Sequence, residues 1–262
     1  MVGQLPRYRG VAASGQFIRR SLRISPASAG PPTRRRRNSF QPMLTGNHMG
    51  HGSFTPTKRS DSMTRAPGGS GSAVTIWFDP VCPFTWHTAR WLQAVAGGGD
   101  VTVDWRLMSL AMLNEGEEAG PEQQAHLRDS QRMGRLMAAI GDKHGAADMV
   151  TAYFAFGERH FDEAHPVDDS LVREVSAAAG IPDAVVDDES YDATVRQSHE
   201  AGQEALGETG GSPILQINGR TFFGPVLTGP PADEMTRPAF DAVATLAAVP
   251  QFRQLKRPKK GG

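Results

Sequence analysis

The fold is decided by residues 73–107, AVTIWFDPVCPFTWHTARWLQAVAGGGDVTVDWRL. Residues 73–79 are β-branched and aromatic, the composition of a short strand. Residues 80–83 break the run with Pro80 and Pro83, and residues 84–96 then read as a helix stopped by Gly97, Gly98 and Gly99. Residues 101–107 place Val101, Val103, Trp105 and Leu107 on one face at period two, which predicts a second strand. Strand, helix and strand in this order predict a parallel pair joined by a right-handed crossover.

Toward the C-terminus the periodicity becomes helical. Pro121 opens a helix in which Met133, Leu136, Met137 and Ile140 share a face, and residues 149–161 and 169–179 make two more, the last closing at Gly180. Ser190 is the expected cap of a helix that runs to Leu206 and stops at Gly207. Strand character returns at residues 214–217, the Asn218-Gly219 pair signals a hairpin, and residues 220–223 form its second arm. Residues 232–249 make a closing helix with Met235, Phe240, Val243 and Leu246 as its apolar members. The expected class is α/β, with residues 72–115 and 190–262 forming one core and residues 116–189 an all-helical insertion.

The charge is unevenly spread. Residues 1–70 hold twelve Lys and Arg against the single acid Asp61, and taking these from the chain's 28 basic and 28 acidic residues leaves 16 and 27 for the rest. An acidic body argues against nucleic-acid binding by the folded part, because phosphate neutralisation needs clustered Lys and Arg. Residues 1–71 are rich in Arg, Ser, Pro and Gly without periodicity, so a disordered basic tail is expected. It reads as a basic arm, a transit peptide, or an extension upstream of a start at Met43, Met49 or Met63. No apolar run is long enough to span a membrane or to serve as a signal-peptide core, so a cytoplasmic protein without membrane contact is expected.

Cys82 is the only cysteine, which excludes an internal disulfide and suits a reducing compartment. It falls where the first strand ends and the first helix begins. Unpaired amide N–H groups and the positive end of the helix dipole favour a thiolate there, and Pro83 suits the first turn because it lacks the N–H. A lone cysteine is also commonly a small buried hydrophobe. The residues by themselves leave both readings open. Ser212-Pro213 precedes the third strand, where a proline belongs at the first residue; on the residues alone, an ordinary trans proline is expected.

Phe78-Asp79-Pro80-Val81-Cys82-Pro83, a helical insertion, and Gly211-Ser212-Pro213 ahead of a hairpin resemble the DsbA-like thioredoxin superfamily. WFDPVCPFTW (77–86), MSLAMLNE (108–115), YDATVRQSHEAG (191–202) and NGRTFFGPVL (218–227) resemble, more closely, its mycothiol-dependent nitroreductase family. The resemblance implies a thioredoxin fold with a helical insertion, Cys82 as attacking cysteine, Pro213 as a cis-proline facing it, and Ser212 as the residue whose backbone pairs with a bound thiol. It also implies a pocket lined from Trp77, Pro83, Phe84, Trp86, Met108, Asn114, Phe223 and Pro225. The family motif is C-P-x-C, and here Thr85 stands at its fourth position, so a Cys-x-x-Cys shuttle is ruled out.

The implied chemistry is monothiol. Cys82 forms a mixed disulfide with a low-molecular-weight thiol such as mycothiol or with a client, and Thr85 can donate an O–H bond to the thiolate. Mixed disulfides or small electrophiles such as nitro compounds would be reduced, with no tightly bound cofactor. Alternatives are a glutathione-transferase-kappa-like or isomerase-like thiol-dependent enzyme, or a non-catalytic binding module that lost the resolving cysteine. His87 lies five residues after Cys82, off its helical face, and is expected to be solvated or packing. His48 with His51, and His160 with His165, lack a matching ligand set, so no metal is expected. No Gly-rich nucleotide fingerprint is present.

Overall fold

A computed structural model describes residues 71–257 of the chain; the expected basic tail lies outside the described residues. β1 (Ser72–Phe78) pairs in parallel with β2 (Val101–Leu107), Val74 facing Val103 and Ile76 facing Trp105. Between them runs α1 (Pro83–Ala96). Antiparallel pairing then joins β1 to β3 (Ile214–Ile217) and β3 to β4 (Arg220–Phe223), giving a sheet of order β2-β1-β3-β4. This is a thioredoxin fold, with a helical segment between β2 and β3.

That segment comprises α2 (Leu110–Leu113), α3 (Pro121–His144), α4 (Ala146–Gly157), α5 (Asp169–Ala178) and α6 (Asp192–Leu206). α7 (Asp233–Ala247) closes the domain. Two boundaries differ from expectation. The helix expected over residues 149–161 begins earlier, at Ala146, and after Gly157 loosens into a π-helical turn, Glu158–Asp162, that carries His160 and Phe161. Ser190 does not cap α6. It lies in a 3₁₀ turn, Glu189–Tyr191, whose amide at Ser190 is held by the Asp188 carboxylate at 2.9 Å, and the α-helix starts after Tyr191. The Asp188 carboxylate secures the 3₁₀ turn ahead of the helix, and no side chain caps α6 itself.

Alternation along β1 sorts the core. Val74, Ile76 and Phe78 face a large cluster with Trp86, Leu92, Tyr153 and Phe240, whereas Trp77 faces away, beside Met108 and Ile214 under the end of α6. Gly202 of α6 lies so close to the Trp77 indole that a Cβ there would sit 2.8 Å from it. Arg135, buried on α3, makes a two-point ion pair with Asp192 at 2.7 Å and donates to the Val186 carbonyl, fixing α3 against the start of α6. None of the described helices is long and apolar enough to cross a membrane.

Candidate functional site around Cys82

Asp79 ends β1 and organises the turn that presents the cysteine. Its Oδ1 accepts from the Val81 amide at 2.9 Å and its carbonyl from the Cys82 amide at 3.2 Å, so residues 79–82 close into an Asx turn. Cys82 then occupies the N-cap of α1 in extended backbone, its carbonyl accepting from the Trp86 amide at 3.0 Å, with Pro83 in the first turn. Its side chain makes no capping bond.

The sulfur instead meets the loop before β3. Cys82 Sγ donates to the Ser212 carbonyl at 3.5 Å, and the Ser212-Pro213 peptide bond is cis. The trans proline expected from the residues alone is therefore replaced by the cis form that the family resemblance implies. A second cis bond, Gly224-Pro225, follows β4, and the Pro225 carbonyl accepts from Thr88 Oγ1 of α1 at 2.8 Å. Thr85 Oγ1 and Ser212 Oγ lie 2.5 Å apart, and Ser212 Oγ accepts from the Asp79 amide at 2.9 Å. Cys82, Thr85, Ser212 and Pro213 thus converge, all buried.

The low thiol pKa expected at a helix mouth is corrected by the structure. Burial pushes the Cys82 thiol up, and the Asp79 charge adds to that; hydrogen bonds from the Thr85 side chain and from the Thr85 and Phe84 amides pull it down without offsetting the loss of solvent. With Cys82 only 4% exposed, the amides of the helix end act in a site water hardly reaches. Asp79 is wholly buried, and burial pushes its carboxyl up against the opposing donors. Those donors are the Leu110 amide at 2.6 Å, Ser130 Oγ at 2.5 Å and the Val81 amide, with His126 acting through its charge.

The other expected site residues fall into two groups. Pro83 is exposed and Phe84 half-buried at the start of α1, and Phe223 borders Gly211 in the loop that carries the cis-proline. Trp86 and Met108 are corrections, because both are completely buried and present no surface to a ligand. Trp86 points into the aromatic core, stacked on Phe161 and donating its indole N–H to Asp162 at 3.1 Å; Met108 fills the opposite face of the sheet with Trp77. Helical spacing brings Trp86 one turn after Cys82 but turns its ring inward, toward Tyr153 and Phe154. Asn114 is half-exposed and spends its amide on the Leu110 carbonyl at 2.7 Å, ending α2.

His87 is half-buried, with Nδ1 buried and unpartnered, so it packs rather than being solvated. His160 Nδ1 pairs with the His165 carbonyl at 2.7 Å, and no cluster able to hold a metal occurs among the described residues; His48 and His51 lie outside them. Asp79, Ser130 and Tyr153 were not assigned roles from the sequence. The Asp-Pro pair after a strand is a turn signal that could have drawn attention to Asp79, whereas Ser130 and Tyr153 are mid-helix residues with no local signature.

The described fold is similar to a putative protein-disulfide isomerase from Pseudomonas syringae, at 18% identity and TM-score 0.44 over 65% of this chain and 94% of that one. It is similar also to a probable DsbA oxidoreductase from Streptomyces coelicolor, at 20% identity and TM-score 0.41 over 71% of this chain and 94% of that one. In sequence, the chain is 31% identical over 196 residues to the uncharacterized protein Rv2286c of Mycobacterium tuberculosis, covering 72% of this chain and 83% of that protein. The family model described as mycothiol-dependent nitroreductase Rv2466c matches residues 81–257, from the turn that presents Cys82 to the last described residue, and the chain therefore belongs to the Rv2466c-like family.

Proposed function

We propose that this protein is a cytoplasmic thiol oxidoreductase that works through Cys82 alone, with mycothiol or a similar small thiol as co-substrate. The observation that carries the reading is the 3.5 Å approach of the Cys82 sulfur to the carbonyl of Ser212, the residue before cis-Pro213. A bound thiol or disulfide laid along that peptide meets the sulfur side-on, and the half-buried Phe84 and exposed Pro83 flank the approach.

The hydroxyls around the sulfur suit this role. Ser212 Oγ already accepts from the Asp79 amide, so its own hydrogen is available to Thr85 Oγ1; the Thr85 hydrogen is then available to Cys82 Sγ. Amide, serine, threonine and sulfur form a line of donors that ends on the nucleophile. In exchange, the Cys82 thiolate attacks one sulfur of a mixed disulfide, forming a bond to the small thiol and releasing the client as a thiolate that takes a proton from solvent. A second small-thiol anion attacks the bond on Cys82, leaves as the symmetrical disulfide and regenerates the Cys82 thiolate. Reduction of a nitro group to a nitroso group consumes two small thiols and yields their disulfide and water.

A second reading is favoured by the buried, pKa-raised thiol, whose S–H donates to Ser212. There a small thiol binds beside Cys82 without bonding to it, in the manner of a glutathione-transferase-kappa-like or isomerase-like enzyme. A thiol-exchange assay comparing wild type, Cys82→Ser and Thr85→Cys separates the two. The monothiol reading expects Cys82→Ser to fall to the uncatalysed background and Thr85→Cys to form an internal disulfide; turnover retained in Cys82→Ser supports the second reading instead.

A further inference from the structure

The closing helix α7 has two apolar faces, and the fold covers one of them. Its inner face buries Phe240 and packs Val243 and Ala244 on the core, and the Thr236 carbonyl accepts from the Trp91 indole N–H of α1 at 3.0 Å. Met235 and Leu246, expected among the same apolar members, are instead 50% and 36% exposed. At helical spacing they share an outer stripe with the exposed Pro238 and Ala242, and Val249, in the turn after the helix, extends it at 43% exposure. The Val249 carbonyl accepts from the Phe252 amide at 3.0 Å, and Phe252 and Leu255 are exposed as well. Of the six large hydrophobic side chains exposed among the described residues, only Val226 lies elsewhere. Apolar groups concentrated in this way mark an interaction surface.

The stripe is complementary to its own reverse. Met235 and Val249 lie equally far from Ala242 on either side, and so do Pro238 and Leu246. Laid antiparallel on a copy of itself about Ala242, it sets Met235 against Val249 and Pro238 against Leu246, with a small side chain at the crossing point where two helices come nearest. Charge has the same symmetry. Asp233 and Glu234 open the helix while Arg253, Lys256 and Arg257 follow it; all are exposed, and none makes an ion pair among the described residues. Arg237 and Asp241, on the flank, are already engaged with Asp100 and with each other. In the antiparallel arrangement the acidic end of one copy lies toward the basic end of the other, twice over, whereas a parallel one sets like charges together. We propose that the outer face of α7 is a two-fold interface with a second copy of this chain, the two helices running antiparallel and crossing at Ala242.

Sedimentation velocity of the full chain over a roughly hundredfold range of concentration tests this. Wild type is expected to pass from monomer to dimer as concentration rises. Ala242→Glu, which brings two like charges together at the crossing point, is expected to raise the dissociation constant about a hundredfold or more while the circular dichroism spectrum stays that of wild type. Charge exchange reads the orientation, and decides should Ala242→Glu misfold. Asp233→Lys with Glu234→Lys, and separately Arg253→Glu with Lys256→Glu and Arg257→Glu, are each expected to be monomeric alone and to dimerise when mixed in equal amounts, because only the mixed pair restores opposite charges at both ends. A wild-type chain that stays monomeric throughout overturns the proposal and leaves the stripe to residues 1–70 or to a different protein. A dimer indifferent to Ala242→Glu, or charge variants that fail to rescue each other, overturns it equally.

Discussion

Thr85 is where the residue-scale account is most exposed to test. It sits where the sequence resemblance leads one to expect a second cysteine, yet its hydroxyl is 2.5 Å from Ser212 Oγ and its hydrogen bonds oppose the burial that raises the Cys82 pKa. Thr85→Val keeps the shape and removes the donor, so the thiolate-dependent exchange rate at neutral pH is expected to fall about tenfold while Cys82 stays in place. In wild type the rate should climb as pH rises through neutrality and continue into the alkaline range, because a raised thiol pKa leaves little thiolate below it; a rate already level at pH 7 would contradict the burial argument. The position of Cys82 at the helix start was legible from strand, proline and helix spacing. Its pKa direction was not, because that depends on depth of burial, and the loop at Ser212 that closes over the sulfur lies 130 residues away in the chain.

At the scale of elements, the aromatic wall behind the site depends on one close approach. Gly157 ends α4 against the Trp86 ring of α1, and a Cβ there would overlap the six-membered ring. Gly157→Ala is therefore expected to cost about 1–3 kcal/mol or more in urea unfolding, with a change in tryptophan fluorescence as Trp86 gives way. A neutral effect would show that the two helices separate easily. Here the sequence was informative about elements and silent about their edges. Period-two alternation in β2 and the glycine stops of α1 and α6 carried the reading, since each is a local backbone constraint. The π-helical turn at Glu158–Asp162 was hidden because it serves long-range contacts, stacking Phe161 on Trp86 and bringing Asp162 to the Trp86 indole and to Arg90. Trp86 shows the same limit: the family resemblance implies a pocket residue there, and the packed helix turns its ring into the core instead.

Over the whole molecule, buried histidines set the response to acid. His199, held by the Ser109 amide donating to its Nδ1 at 3.4 Å, has its pKa lowered by burial, as do His160 and His87. A depressed folded value means that the unfolded chain binds protons first, so this stability is complete above the ordinary histidine value of 6.5 and is lost as pH falls toward the folded values. The raised carboxyl of Asp79 acts oppositely: its ionisation costs stability above the raised folded value, and that cost is relieved as pH falls from there toward 3.8. The urea midpoint is expected to drop between about pH 7.5 and about pH 5.5, and His199→Asn, which keeps an acceptor for Ser109 but cannot titrate, should drop less; equal drops would remove His199 from the account. The central claim, that Cys82 bonds covalently to a small thiol, is most directly tested by intact-mass and peptide mass spectrometry after incubation with oxidised mycothiol. A single reductant-reversible adduct on the peptide containing Cys82, absent from Cys82→Ser, is the expected result; a native protein whose Cys82 stays unmodified while the unfolded chain reacts would contradict it.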